Sequence, residues 1–172
     1  PPTSFSDWYD LVRKLVQHAV DTFGVKEVRQ WNFECWNELW GMPFTQDYMR
    51  LYNASALAVK SVDSELRVGG PATARLNDIS EFVSQARSIG APFDFVSSHM
   101  YPTDPQCPTD KNWGPDCLPD HVKAAKKLVE GSGADFFLTE YNVGCCIGFP
   151  QHDSAGAAAF AFRTVGMLDG VT

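Results

Sequence analysis

The sequence predicts an α/β protein, about half of a (β/α)8 TIM barrel, and three observations carry the prediction. Helical apolar stripes alternate with short β-prone runs in the order α, β, α, β, α, β, α, β, α, and strands separated by helices of that length pair in parallel. Four strands in 172 residues are about half of a closed barrel, which takes roughly 250 residues. Polar and aromatic residues gather at the C-terminal end of each strand, where barrels carry their chemistry. A doubly wound sheet is the other fold of this pattern, but no GxGxxG or GxxxxGK[ST] stands at a strand-to-helix turn.

Taken in order, Trp8, Leu11, Val12, Leu15, Val16, Ala19, Val20 and Phe23 form the i, i+3, i+4, i+7 stripe of an amphipathic helix, with Ser6 as its cap and Gly24 at its end. Residues 28 to 36, rich in aromatic and β-prone side chains, read as the first strand. A helix from Thr45, its cap, to Val62 precedes a short strand, 66 to 71, that runs into Gly-Pro. Ile79, Phe82, Val83, Ala86 and Ile89 make a helix closed by Gly90, followed by a strand over 93 to 100. Beyond a long loop, His121, Val122, Ala125, Leu128 and Val129 make another helix, closed by Gly131. Residues 134 to 141 form the last strand, and a final helix runs from about Ser154 to about Asp169.

Composition bounds the partners. A hydrophobic content of 44% with 20% charged residues is that of a globular chain, and a formal net charge of −7 with no basic run argues against nucleic acid. No apolar stretch approaches the roughly 18 to 20 residues of a membrane span. The five cysteines are Cys35, Cys107, Cys117, Cys145 and Cys146. Cys35 reads as a small buried hydrophobe. Cys107 and Cys117 bracket a Pro-, Asp- and Gly-rich loop that a disulfide would pin in a secreted protein, and whether they pair is left open. The adjacent Cys145 and Cys146 lack the CxxC spacing of zinc and redox sites.

Two strands end in a carboxylate. In Trp31-Asn32-Phe33-Glu34-Cys35-Trp36-Asn37-Glu38, alternation puts Glu34, Trp36 and Glu38 on one face. A carboxyl half-buried beside an indole has its charged form disfavoured, which suits a general acid. The plainer reading of a lone glutamate is a loop cap or an ion-pair partner. The last strand, Phe136-Phe137-Leu138-Thr139-Glu140-Tyr141-Asn142, ends the same way, 102 residues after Glu38. That interval holds three βα units, and strands three apart in an eight-strand ring face each other across the mouth. Two convergent carboxyls are the minimal equipment for glycoside hydrolysis.

Phe33-Glu34-Cys35-Trp36-Asn37-Glu38, Arg67-Val68-Gly69-Gly70-Pro71, Asp94 through Tyr101 and Leu138-Thr139-Glu140-Tyr141-Asn142, in that order, closely resemble glycoside hydrolase family 39, the family of β-xylosidases and α-L-iduronidases. The resemblance implies that Glu38 is the acid/base on strand four, Glu140 the nucleophile on strand seven, and the chain a partial catalytic domain running from helix three to helix seven over residues 1–172. It implies that Asn37 binds the sugar 2-hydroxyl and that His99 and Tyr101 line the sugar site, although both also suit a satisfied place in the barrel core. Gly70, with Gly69, would let backbone approach the pocket or serve a plain turn. Glu34 is expected to support its neighbours by hydrogen bonds. Trp36 is expected to pack in the core, while sugar stacking and packing are equal readings for Trp40 and Trp113.

Two departures shape the substrate expectation. The family usually has Pro after its Asn-Glu, where this chain has Leu39-Trp40-Gly41. Iduronidases resemble the third strand but carry a Lys at the position of Tyr101, so a neutral sugar such as xylose is expected over a uronic acid. The competing readings are a catalytically dead carbohydrate-binding barrel, a metal-dependent hydrolase needing His18, His99, His121 or His152 to converge, and a cysteine hydrolase using Cys145 or Cys146. No cofactor and no metal are expected. The expected partner is a carbohydrate, in a secreted or lysosomal-like compartment, which the Asn53-Ala54-Ser55 triplet mildly favours. Strands one to three and eight are expected to lie in a longer polypeptide.

Overall fold

A computed structural model of the chain describes residues 2–40, 42–107, 117–146 and 148–171. Trp113 lies outside the described residues. Helix α1 (Phe5–Phe23) is capped by Ser4, not Ser6: the Ser4 hydroxyl accepts from the Asp7 N–H at 3.2 Å, which leaves Ser6 inside the first turn. Gly24, at φ 86°, ends α1 and opens the short helix α2 (Val25–Val28). The first predicted strand therefore starts late, because α2 takes Val28, a turn follows it as far as Trp31, and only Asn32–Glu34 forms β1. A π-helical turn (Phe44–Tyr48) behind Pro43 runs directly into α3 (Met49–Val62), so Thr45 lies within the turn rather than at a cap.

β2 (Arg67–Thr73) runs past the predicted Gly-Pro stop, and a 3-10 turn (Ala74–Leu76) leads to α4 (Ile79–Ile89), closed by left-handed Gly90. β3 (Phe95–His99), α5 (Cys117–Val129), β4 (Asp135–Glu140) and α6 (Ala155–Leu168) follow as predicted to within a few residues. Ser154 caps α6 by accepting from the Ala157 N–H. Cys107 and Cys117 are joined by a disulfide at the start of α5.

The four strands form one sheet in the order β1-β2-β3-β4, and every neighbouring pair is parallel. One face, with Val68, Val96, Met100 and Phe136, packs against the helices, where Tyr52 meets Phe82 edge-on with ring centroids 4.8 Å apart. α1 lies along α3, and the Trp8 indole donates to the Ser55 hydroxyl at 2.8 Å while that hydroxyl donates to the Leu51 carbonyl. The Asn53-Ala54-Ser55 triplet thus belongs to helix packing, with its hydroxyl engaged. The α1 stripe is wider than the face it buries: Leu11 and Leu15 stay exposed and line an apolar groove with Trp8, Phe33 and Trp36 at the β1 edge.

The other face is concave. In a flat sheet β1 and β4 would lie three strand spacings apart, about 14 Å. Here Thr139 on β4 donates to the Glu34 carboxylate on β1 at 2.8 Å, and Arg67 on β2 reaches both Asn32 and Asp135. Such contacts between the two edge strands require a sheet curled as a barrel wall is.

Candidate active site

The strand ends depart from regular alternation, and the departures aim the functional side chains. Trp36 (φ 78°) and Glu38 (φ 49°) both take left-handed backbone, uncommon for side chains of their size. Glu34, Trp36 and Glu38 therefore do not share a pleated face. The Glu38 N–H still donates to the Ala72 carbonyl at 2.8 Å, which holds the irregular segment to the end of β2. Trp36 is 41% exposed rather than packed in the core, and its indole donates to the Glu38 carbonyl.

On β4 the pairing slips: Ser98 pairs with Leu138 but His99 pairs with Glu140, which leaves Thr139 as an extra residue. In a regular strand Thr139 and Glu140 would point to opposite faces. A bulge re-aims one of them, and here Thr139 reaches Glu34 while Glu140 reaches His99 and Tyr101. A matching slip on β2 leaves out Ala72, at φ 52°.

These irregularities bring Glu38 and Glu140 together around His99, which is only 2% exposed. Its Nδ1 lies 3.1 Å from Glu38 Oε1 and 3.0 Å from Glu140 Oε2. A proton on Nδ1 donates to both. The remaining oxygens are also held: Trp40 Nε1 donates to Glu38 Oε2 at 2.5 Å, and the Tyr101 hydroxyl donates to Glu140 Oε1. One oxygen from each carboxylate and one imidazole nitrogen all lie within 4.8 Å of one another. Glu38 is the more enclosed carboxylate, its side chain 20% exposed against 44% for Glu140. Burial, and then the bond to Glu140, push the Tyr101 phenol well above its ordinary range, which keeps it a proton donor. The three clustered groups are also of the types that ligate a divalent cation.

The pair opens into a cleft of about 430 Å³ lined by Trp40, Arg75, Asp104, Cys145 and Cys146 besides the carboxylates and Tyr101. A second chamber, of about 600 Å³, shares Tyr101, Glu140 and Cys146 with the first and adds Asn142 and His152. Arg75 sits over the Trp40 ring, 5.3 Å from its centroid, with Nε 3.5 Å from Asp104. Asp104 in turn accepts from the Tyr101 N–H at 2.8 Å.

The expected residues divide accordingly. Glu38, Glu140, His99, Tyr101 and Trp40 converge. Asn37 is exposed and is not among the residues lining either chamber. Gly70 is not a pocket residue: it is buried, and a Cβ there would lie 2.4 Å from the Tyr48 hydroxyl, so it is needed for strand-to-helix contact. Gly69 is likewise closed in, with the Phe95 carbonyl 2.3 Å from where a Cβ would stand. Among the remaining histidines, His152 bonds the Gly144 carbonyl, and the described cluster of ligand-type groups includes His99 alone of the four. Cys35 is buried, and burial pushes its thiol to about 12. Arg75 gave no signal in the sequence, and the adjacent Cys145 and Cys146 were marked only as a nucleophile reading, because loop residues reach the cleft through turns that follow no period.

A curled parallel sheet with two carboxyls closing on one point at its C-terminal edge defines the class: a barrel-type cleft that carries its acidic pair where such sheets carry their chemistry. The chain belongs to Glycosyl hydrolases family 39, whose model matches residues 1–170. It is 38% identical over 178 residues to a β-xylosidase of Caldicellulosiruptor saccharolyticus, covering 96% of this chain and 36% of that protein. A Geobacillus stearothermophilus β-xylosidase is 34% identical, with 95% and 36% covered. Among solved structures, a monomeric β-xylosidase from Caulobacter crescentus CB15 superposes with a TM-score of 0.84 at 31% identity, covering 98% of this chain and 37% of that one. The chain thus spans little more than a third of the length of the relatives it matches.

Proposed function

We propose that this chain supplies the catalytic pair of a retaining glycoside hydrolase, with Glu140 as nucleophile and Glu38 as general acid/base. The observation that carries the reading is that one oxygen of the Glu38 carboxylate lies within 4.8 Å of one oxygen of the Glu140 carboxylate. Retaining enzymes hold theirs about 5 to 5.5 Å apart, whereas inverting ones leave roughly 6.5 to 9.5 Å for a water. Glu140 attacks the anomeric carbon while Glu38 protonates the departing oxygen. A covalent glycosyl ester on Glu140 results. Glu38, now a carboxylate, takes a proton from water, which attacks the same carbon, frees Glu140 and returns the original anomer. Tyr101 and His99 fix the Glu140 carboxylate for in-line attack, and the Trp40 indole with His99 orients Glu38. No step draws on a metal.

The substrate is a neutral β-glycoside, with xylose the first choice. Two relatives named β-xylosidase match nearly the whole chain, whereas a human α-L-iduronidase matches over 71 residues. Tyr101 offers a hydroxyl and no charge. The four strands are strands four to seven of a closed barrel, and residues 1–172 are part of its catalytic domain. The disulfide suits a secreted or lysosomal-like setting. A panel of aryl glycosides on the full-length polypeptide tests the reading: hydrolysis of the β-xyloside above the β-glucoside and the α-L-iduronide supports it, and preference for the iduronide overturns the choice of sugar.

A further inference from the structure

Cys145 and Cys146 stand on the loop after β4 with their sulfurs 2.7 Å apart. Both are free thiols, and at that separation the sulfurs are within reach of each other for a bond to form. The loop is anchored where it matters. The Cys145 N–H donates to the Thr103 hydroxyl at 3.0 Å, tying it to the loop after β3, and Cys146 takes left-handed backbone at φ 74°. Both cysteines line the chamber holding Glu38 and Glu140, and Cys146 also lines the second chamber, so with Tyr101 and Glu140 it borders both. The Cys146 thiol is held above the ordinary cysteine range, first by its hydrogen bond with Cys145 and to a smaller degree by desolvation and the nearby carboxylates of Glu38 and Asp104.

We infer that Cys145 and Cys146 are a redox-active modification site: they close to a vicinal disulfide whose formation reshapes the wall of the substrate cleft. The inference rests on the reading of the Glu38–Glu140 cleft as the sugar site. A bond between adjacent residues closes no loop, so it has none of the chain-constraining effect of the Cys107–Cys117 bond. Its consequences are local to the cleft. Adjacent Cα atoms are held about 3.8 Å apart, below the usual span of about 4.4 to 6.8 Å for a disulfide, so the ring is strained and more readily reduced than an ordinary one. Exposed, strained disulfides of this kind are the labile ones.

The oxidant is a low-molecular-weight disulfide, R–S–S–R. The exposed Cys146, as thiolate, attacks one sulfur, forms a mixed disulfide and releases RS⁻. Cys145 then loses its proton and attacks the Cys146 sulfur, the Cys145–Cys146 bond forms, and a second RS⁻ leaves. Two cysteine thiols have lost two electrons and two protons, and one R–S–S–R has become two RSH. A dithiol reductant reverses both steps.

The test uses the full-length polypeptide equilibrated in oxidised glutathione or in dithiothreitol mild enough to leave Cys107–Cys117 intact. The peptide carrying residues 145–146 is mapped by mass after alkylation, and KM is measured on an aryl glycoside that the enzyme cleaves. Expected are a peptide that takes up no alkylating agent after oxidation and two equivalents after reduction, and a KM differing by about tenfold between the forms, a size that small changes in a pocket wall produce. C145S and C146S should each abolish the difference. A peptide fully alkylated after oxidation overturns the inference, as does a disulfide that leaves KM unchanged, even while glycoside hydrolysis stands. A disulfide that forms in a protein inactive on every glycoside overturns the reading of the cleft instead.

Discussion

Glu38 and Glu140 have unequal burdens when the leaving group is good, and substitution should separate them. Glu140→Gln removes the nucleophile and is expected to abolish turnover of every substrate. Glu38→Gln removes proton donation, worth roughly 10²–10⁴-fold, so kcat/KM, which reports the first step, should fall that far on alkyl glycosides and far less on a dinitrophenyl glycoside, whose departure needs no proton. Equal losses on both substrates would remove Glu38 from the acid role. Tyr101→Phe deletes the donor to Glu140 Oε1; a hydrogen bond to a charged group is worth about 1.5–3 kcal/mol, so kcat should drop roughly tenfold to a hundredfold with little change in KM. Since Glu38, His99 and Glu140 also form a cation-type cluster, dialysis against a chelator is a clean check. Activity should survive it, and loss restored by a divalent cation would contradict the two-carboxylate mechanism. The two glutamates were legible because each stands at the end of a run rich in apolar and aromatic residues, Glu140 as the one charge in Phe136 to Asn142. Their orientation was not. Alternation put Glu38 in line with Trp36, whereas left-handed backbone at both residues and the bulge at Thr139 do the aiming, and nothing in a list of side chains encodes a register slip.

At the scale of elements, periodic segments were read to within a few residues and strand ends were not. α1, α4 and α5 announce themselves by apolar spacing and a Gly at the C-terminal end. β1 is short because Val25–Val28 finds a helical turn after left-handed Gly24, a choice that β-propensity alone cannot foresee. Gly70 is ambiguous for a related reason: a glycine beside a pocket, in a turn or under a helix looks the same in sequence. Gly70→Ala would press a methyl against the Tyr48 hydroxyl, and overpacking of this kind costs about 1–3 kcal/mol, so the urea midpoint should fall while KM holds. The loop after α3 gives a pH prediction. Arg29, by its hydrogen bonds, and then the Glu65 N–H hold the Asp63 carboxyl below the usual carboxylate range. A depressed folded-state value stabilises above the unfolded pKa of about 3.9 and is lost as pH falls through the lowered value. Between pH 5 and pH 3 the wild type should therefore lose more stability than Asp63→Asn, measured by chemical unfolding, and identical losses would discount the pair.

For the molecule as a whole, the curl of the sheet decides what the site can be. Contacts across the concave face, Glu34 with Thr139 and Arg67 with Asn32 and Asp135, bend β1 toward β4 and so bring Glu38 and Glu140, at the outer strands, onto one histidine. A flat sheet of the same order would hold them apart. Among the described residues no strand pairs with the outer edges of β1 and β4, and an apolar groove runs between α1 and β1. Residues 1–172 expressed alone should therefore aggregate or bind hydrophobic dyes, and a soluble monomer with one cooperative unfolding transition would count against the barrel. The central claim is double displacement by the Glu38–Glu140 pair, and proton NMR of the sugar first released from an aryl β-xyloside by the full-length polypeptide tests it most directly. Retention requires the β-anomer to appear first, with the α-anomer following only by mutarotation; α-anomer at the earliest time points would contradict it.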